Sequence, residues 1–73
     1  MTRTNVESKT IKAVGYDHDS ETMEIEYLDG TAFRYLMVPQ FTHRALMAAP
    51  DPGEFAAAHI IDGPYARARL ASE

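Results

Sequence analysis

The chain has 73 residues, 45% hydrophobic and 25% charged, with a formal charge of -4 and no cysteine. Such a length holds one domain, burying only about 60% of the surface its unfolded chain exposes, and the lack of thiols excludes a disulfide framework or a thiolate metal site. The apolar runs are too short for a membrane span, the first residues lack the apolar segment of a signal peptide, and the negative charge opposes a phosphate-binding surface spread over the whole molecule; a cytoplasmic domain is expected.

Residues 1–7 are polar and aperiodic and are read as a disordered N-terminal arm. Residues 10–17 have strand composition, but the alternation changes phase, with Ile11 and Ala13 on one face and Val14 and Tyr16 on the other. Gly15 is the expected site of a bulge that accommodates the change. The turn formers of residues 17–21 predict an exposed loop. Residues 22–27 alternate cleanly, with Met23, Ile25 and Tyr27 on one face and Glu24 and Glu26 on the other. Residues 31–37 repeat the pattern, with Phe33, Tyr35 and Met37 inward and Arg34 and Leu36 outward.

Parity also sets the hairpin loop. A two-residue Asp29-Gly30 turn would oppose Ile25 to Arg34, whereas a three-residue loop pairs Ile25 with Phe33 and Glu24 with Arg34. Gly30 then takes the left-handed position on which such loops end. Pro39 stops the strand and opens a helix over 39–49 with Phe41, Ala45, Leu46 and Ala49 on its apolar face. Asp51 caps a second helix over 52–61, with Pro52 in its first turn, Glu54 three residues after the cap, and Phe55, Ala56, His59 and Ile60 facing the core. Residues 67–73 form a C-terminal tail whose composition is compatible with extended or helical backbone. The predicted class is α+β: a three-stranded antiparallel meander over 9–17, 22–27 and 31–38, with two short C-terminal helices on one face. Met23, Ile25, Tyr27, Phe33 and Tyr35 are expected to pack against Phe41, Leu46, Phe55 and Ile60.

The succession Ser8, Ile11, Gly15-Tyr16-Asp17, Tyr27, Gly30, Phe33-Arg34-Tyr35, Val38-Pro39, Leu46-Met-Ala-Ala49, Gly53, Phe55 and Tyr65 resembles the KTSC domain family over residues 8–66. That family is named for its occurrence at the C-terminus of some lysyl-tRNA synthetases. The pattern centres on Tyr-x-Tyr, where this chain has Phe33, and the usual serine before the second helix is replaced by Pro50-Asp51-Pro52. The resemblance implies a non-catalytic binding module, with RNA as partner through the attachment to synthetases. Under that reading the contacts would fall to Lys12, Arg34, Arg67, Arg69 and Tyr65. A protein-interaction or homodimerisation module is the alternative, pointed to by outward-facing Leu36 and by the open edges of a small sheet.

The remaining polar residues do not form a chemical motif. Asp17, Asp19 and Glu21 alternate like calcium ligands, but the glycine and glutamate of an EF-hand loop are replaced by Thr22 and Leu28. His18, His43 and His59 lack zinc-ligand spacing. The serines stand outside any nucleophile elbow. No metal, cofactor or catalytic residue is expected.

Overall fold

A computed structural model describes residues 2–61 and 63–70. Its sheet has five antiparallel strands in the order of the chain: β1 (Arg3–Asn5), β2 (Ile11–Asp17), β3 (Thr22–Tyr27), β4 (Ala32–Tyr35) and β5 (Arg67–Arg69). Between β4 and β5 the chain forms α1 (Gln40–Ala48) and α2 (Pro52–Ala56), the latter running on into a π-helical turn at Ala57–Ile61. The α+β class and the central meander agree with the sequence reading, and the strand count does not. Three of the seven residues assigned to a disordered arm form β1, and three tail residues form β5. Their short polar stretches give no alternation long enough to read. Main-chain pairing to an existing edge, together with contacts from distant side chains, makes them strands.

The hairpin has the predicted three-residue loop. Glu24 pairs with Arg34 and Ile25 with Phe33, Tyr27 donates its amide to Thr31 at 2.8 Å, and Gly30 has φ +92°. Met23 and Ile25 are thereby fully buried with Tyr35. The bulge lies between Ile11 and Ala13, at Lys12 rather than Gly15. One extra residue there puts Ile11, Val14 and Tyr16 on the same, helix-covered face, opposite Tyr27, Ile25 and Met23.

The last strand residues depart from simple alternation. Met37 has φ +58° and is 77% exposed, although parity places it inward. This left-handed turn brings Val38 into the core in its place, and the Val38 amide donates to the Glu21 carbonyl at 2.7 Å. Tyr16 then donates its phenol to the Val38 carbonyl at 2.6 Å and stacks on His43, with ring centroids 4.5 Å apart. These contacts rotate α1 about one residue from its expected orientation. Thr42 and Leu46 are its buried positions, and Phe41 is 73% exposed instead of packed in the core.

In α2, Asp51 caps as expected, its Oδ1 accepting from the Glu54 amide at 3.2 Å, and Pro52 occupies the first turn. Ala56 and Ile60 are buried while Phe55 is only half-buried and His59 is exposed, so the core-facing stripe is the i, i+4 pair Ala56 and Ile60, with Phe55 and His59 one position round on its flank. Gly53 lies where the N-terminal connection touches this helix. A Cβ there would come within 2.5 Å of Thr10 Oγ1 and 2.7 Å of Ser8 Oγ. The Ser8 hydroxyl accepts in turn from the amides of Thr10 and Ile11, fixing the approach to β2.

Candidate functional site

The two faces of the sheet hold charge in different ways. On the face away from the helices, β3 contributes Glu24 and Glu26, β4 Arg34, β1 Arg3 and the β2 bulge Lys12. The Glu24 side chain is only 7% exposed. Arg34 donates through Nε at 3.1 Å and Nη2 at 2.7 Å to Glu24 Oε2, and Arg3 donates through Nη2 to Oε1 at 3.0 Å. Arg3 and Lys12 also ion-pair with Glu26 at 3.4 and 3.8 Å. Burial is the largest influence on Glu24 and by itself raises its pKa. The hydrogen bonds and charges of Arg34 and Arg3 together outweigh that burial and hold the carboxyl below the usual glutamate range.

The pairing of Glu24 with Arg34 follows from the parity of the hairpin. Its burial and the second arginine do not, because Arg3 belongs to a segment read as an unstructured arm. Two glutamates facing one arginine on the outer face were the available signal that another cation was due. This network commits Lys12 and Arg34 to carboxylates.

Arg67 and Arg69 lie on the other face. They pair across β5 and β4 with Tyr35 and Phe33, whereas Ala68 pairs with Arg34. The five residues proposed for nucleic-acid contact are therefore not one patch: Lys12 and Arg34 face one way, Arg67 and Arg69 the other. The physical reason is the strand period of two, which puts odd-numbered tail arginines beside the odd-numbered aromatics of β4. Arg67 stands over the Phe33 ring, with its guanidinium carbon 5.4 Å from the centroid. Neither it nor Arg69 ion-pairs with a carboxylate among the described residues. Tyr65, two residues before β5, is half-buried against the core.

The aromatics also divide. Tyr35 is buried, and its hydroxyl is 2.8 Å from that of half-buried Tyr27. Burial first, and this hydrogen bond second, push the Tyr27 phenol far up in pKa, and the hydroxyl contact belongs to the packing of the sheet. Phe33 remains half-buried on β4, one strand in from the edge and beneath Arg67. Of the five residues, Arg67 and Arg69 are thus the two open to contact, on the β5 edge beside the rim of Phe33. A second surface lies at the β4–α1 corner, where Leu36, Met37 and Phe41 are 41%, 77% and 73% exposed.

Among the described residues no group of three or more histidines and carboxylates is placed to hold a metal ion, and no helix is long and apolar enough to cross a membrane. His43 is held below the usual imidazole range by burial, and its stacking on Tyr16 makes it part of the packing.

Comparison with known proteins agrees with this architecture. The model of the KTSC domain matches residues 7–65. The chain is similar to the crystal structure of a KTSC domain protein from Yersinia pestis, with a TM-score of 0.88 at 30% identity over 96% of this chain and 97% of that one. It is also 32% identical to an uncharacterized protein of Stutzerimonas stutzeri (strain A1501) over 53 residues, 73% of this chain and 75% of the relative.

Proposed function

The chain belongs to the KTSC domain family, and from that premise we propose that it is a small non-catalytic binding module whose partner is a polypeptide received at the β5 edge of the sheet. A shared fold does not specify a ligand, so the reading rests on the site. One observation carries it: Arg3, Lys12 and Arg34 are paired with Glu24 and Glu26, while Arg67 and Arg69 carry no described ion pair on a strand beyond which no other lies among the described residues. Two arginines on one edge of a chain with net charge -4 make a small anionic contact rather than a track for a long phosphate backbone.

RNA is the second reading, favoured by the Arg67–Phe33 contact, since an aromatic rim beside guanidinium groups can take a base and its phosphate. Photo-crosslinking separates the two. A photoreactive amino acid at position 68, in the middle of β5, is expected to form an adduct in cells that protease removes and ribonuclease leaves intact. The same residue at position 48, on the exposed side of α1, serves as the control site. An adduct destroyed by ribonuclease would replace the polypeptide by RNA, and labelling at 68 no stronger than at 48 would overturn the β5 edge as the site.

A further inference from the structure

The hydrogen-bond register of β5 specifies what its outer side presents. Leu36 donates its amide to the Ala66 carbonyl at 2.9 Å, and Leu70 donates to the Ala32 carbonyl at 2.9 Å. In an antiparallel ladder these bonds belong to every second residue. The main chain of Ala66, Ala68 and Leu70 therefore faces β4, and the N–H and C=O groups of Arg67 and Arg69 face outward. Among the described residues no strand lies beyond them. The side chains of the same two residues stand together on the helix-covered face, Arg67 above Phe33 and Arg69 directly across from it. Main-chain pairing groups and positive side chains thus come from the same pair of residues, two positions apart.

We infer that β5 is the docking edge for an extended acidic segment, which adds to the sheet as a sixth strand and places carboxylates two residues apart against Arg67 and Arg69. This deepens the polypeptide reading and rests on it. Residues directly opposite in a ladder share a face, so the side chains that meet the two arginines are those whose main chain faces them. The residue between them projects to the outer face over Ala68, whose small side chain leaves room there. Main-chain bonds supply attachment, and the alternate side chains supply selection.

Charge also disfavours the pairing of β5 with β5 of a second copy of this chain. Antiparallel self-pairing centred on Ala68 would oppose Arg67 of each copy to Arg69 of the other, a like-charge contact that disfavours the pair. Arginines on an edge strand ordinarily blunt its association with other strands. Here the same repulsion leaves acidic strands as the complement, and the net charge of -4 turns such a segment away from the rest of the surface.

The test is an NMR titration of the whole chain with three synthetic peptides. The first alternates glutamate and valine, the second replaces its glutamates by lysine, and the third keeps the glutamates but is N-methylated on each of them, which removes the N–H groups that would face Arg67 and Arg69. The first is expected to slow exchange of the Arg67 and Arg69 amides at least tenfold and to bind at least tenfold more tightly than either control. Arg67→Glu/Arg69→Glu should reverse the preference toward the lysine peptide. Equal binding of the N-methylated peptide would show attraction without strand addition and overturn the inference, as would shifts confined to other surfaces or no binding at millimolar peptide. If position 68 still crosslinks to polypeptide in cells under any of these results, the binding-module reading stands and only the acidic strand is lost. Slowed exchange of the same amides by single-stranded RNA alone would overturn both.

Discussion

Among the described carboxylates, Glu24 accepts the most guanidinium hydrogen bonds. A glutamate on the outer face of a hairpin ordinarily makes a solvated cross-strand pair worth about 0.2–1 kcal/mol. Here the carboxylate is nearly enclosed and receives three guanidinium hydrogen bonds from two strands. Glu24→Gln is therefore expected to cost about 1.5–3 kcal/mol in urea unfolding, the range for hydrogen bonds to a charged group. Glu26→Gln should cost about 0–1 kcal/mol, because its contacts with Arg3 and Lys12 are longer and more exposed. The pH dependence has a definite sign. The folded carboxyl has a lowered pKa, so its stabilisation is complete above about pH 5 and is lost as pH falls through the folded value. Unfolding midpoints measured from neutral to acid pH should decline less steeply in Glu24→Gln than in the wild type. Core and surface separate just as sharply in α1. Leu46→Ala should cost about 2–5 kcal/mol, whereas Phe41→Ala, for all its lost bulk, should stay within about 0.5 kcal/mol because that ring is 73% exposed.

Elements join at two glycines with different physics. Gly30 needs its positive φ and has open space around a hypothetical Cβ, so Gly30→Ala should destabilise through backbone strain by about 1 kcal/mol. Gly53 needs space, since the hydroxyls of Ser8 and Thr10 lie where a Cβ would go. Gly53→Ala is expected to cost about 1–3 kcal/mol by overpacking, part of it recovered when Thr10 is also changed to alanine. Chemical denaturation of the two single variants and the double variant checks both statements. The loop length of the β3–β4 hairpin was legible in the sequence because only one register keeps Ile25 and Phe33 on the same face. The bulge was legible as a phase shift, but its position was not. Gly15 was the residue with bulge propensity, while Lys12 was the residue whose long side chain could reach Glu26 from the extra position.

The whole molecule is a meander whose two ends lie on opposite edges of the sheet, with the helices inserted before the last strand. Its outermost strands are three residues each and expose their side chains, while β2 and β3 supply most of the buried sheet residues. Stability should therefore be graded across the sheet. Native-state hydrogen exchange is expected to show the Thr4 and Ala68 amides opening locally, and the amides of Met23 and Ile25 exchanging only with global unfolding. Uniform protection of all five strands would contradict this gradient.

The sequence by itself determined the α+β class, the central hairpin and its faces, the capped second helix and the family. Each rests on a local period, a turn residue or an ordered motif, which a short window of residues can express. Tertiary structure alone decided the rest. β1 and β5 are strands because an edge was available to pair with. Arg3 completes the Glu24 network from 21 residues away. Met37 turns out and Val38 turns in because a left-handed residue re-aims the chain at the end of β4. The candidate site divided for the same reason. Lys12, Arg34, Arg67 and Arg69 are alike in composition, but strand parity and the places where β3 offers carboxylates put two of them into a paired network and two onto the last strand of the described sheet. Those are relations between segments distant in sequence, and no local pattern of residues encodes them.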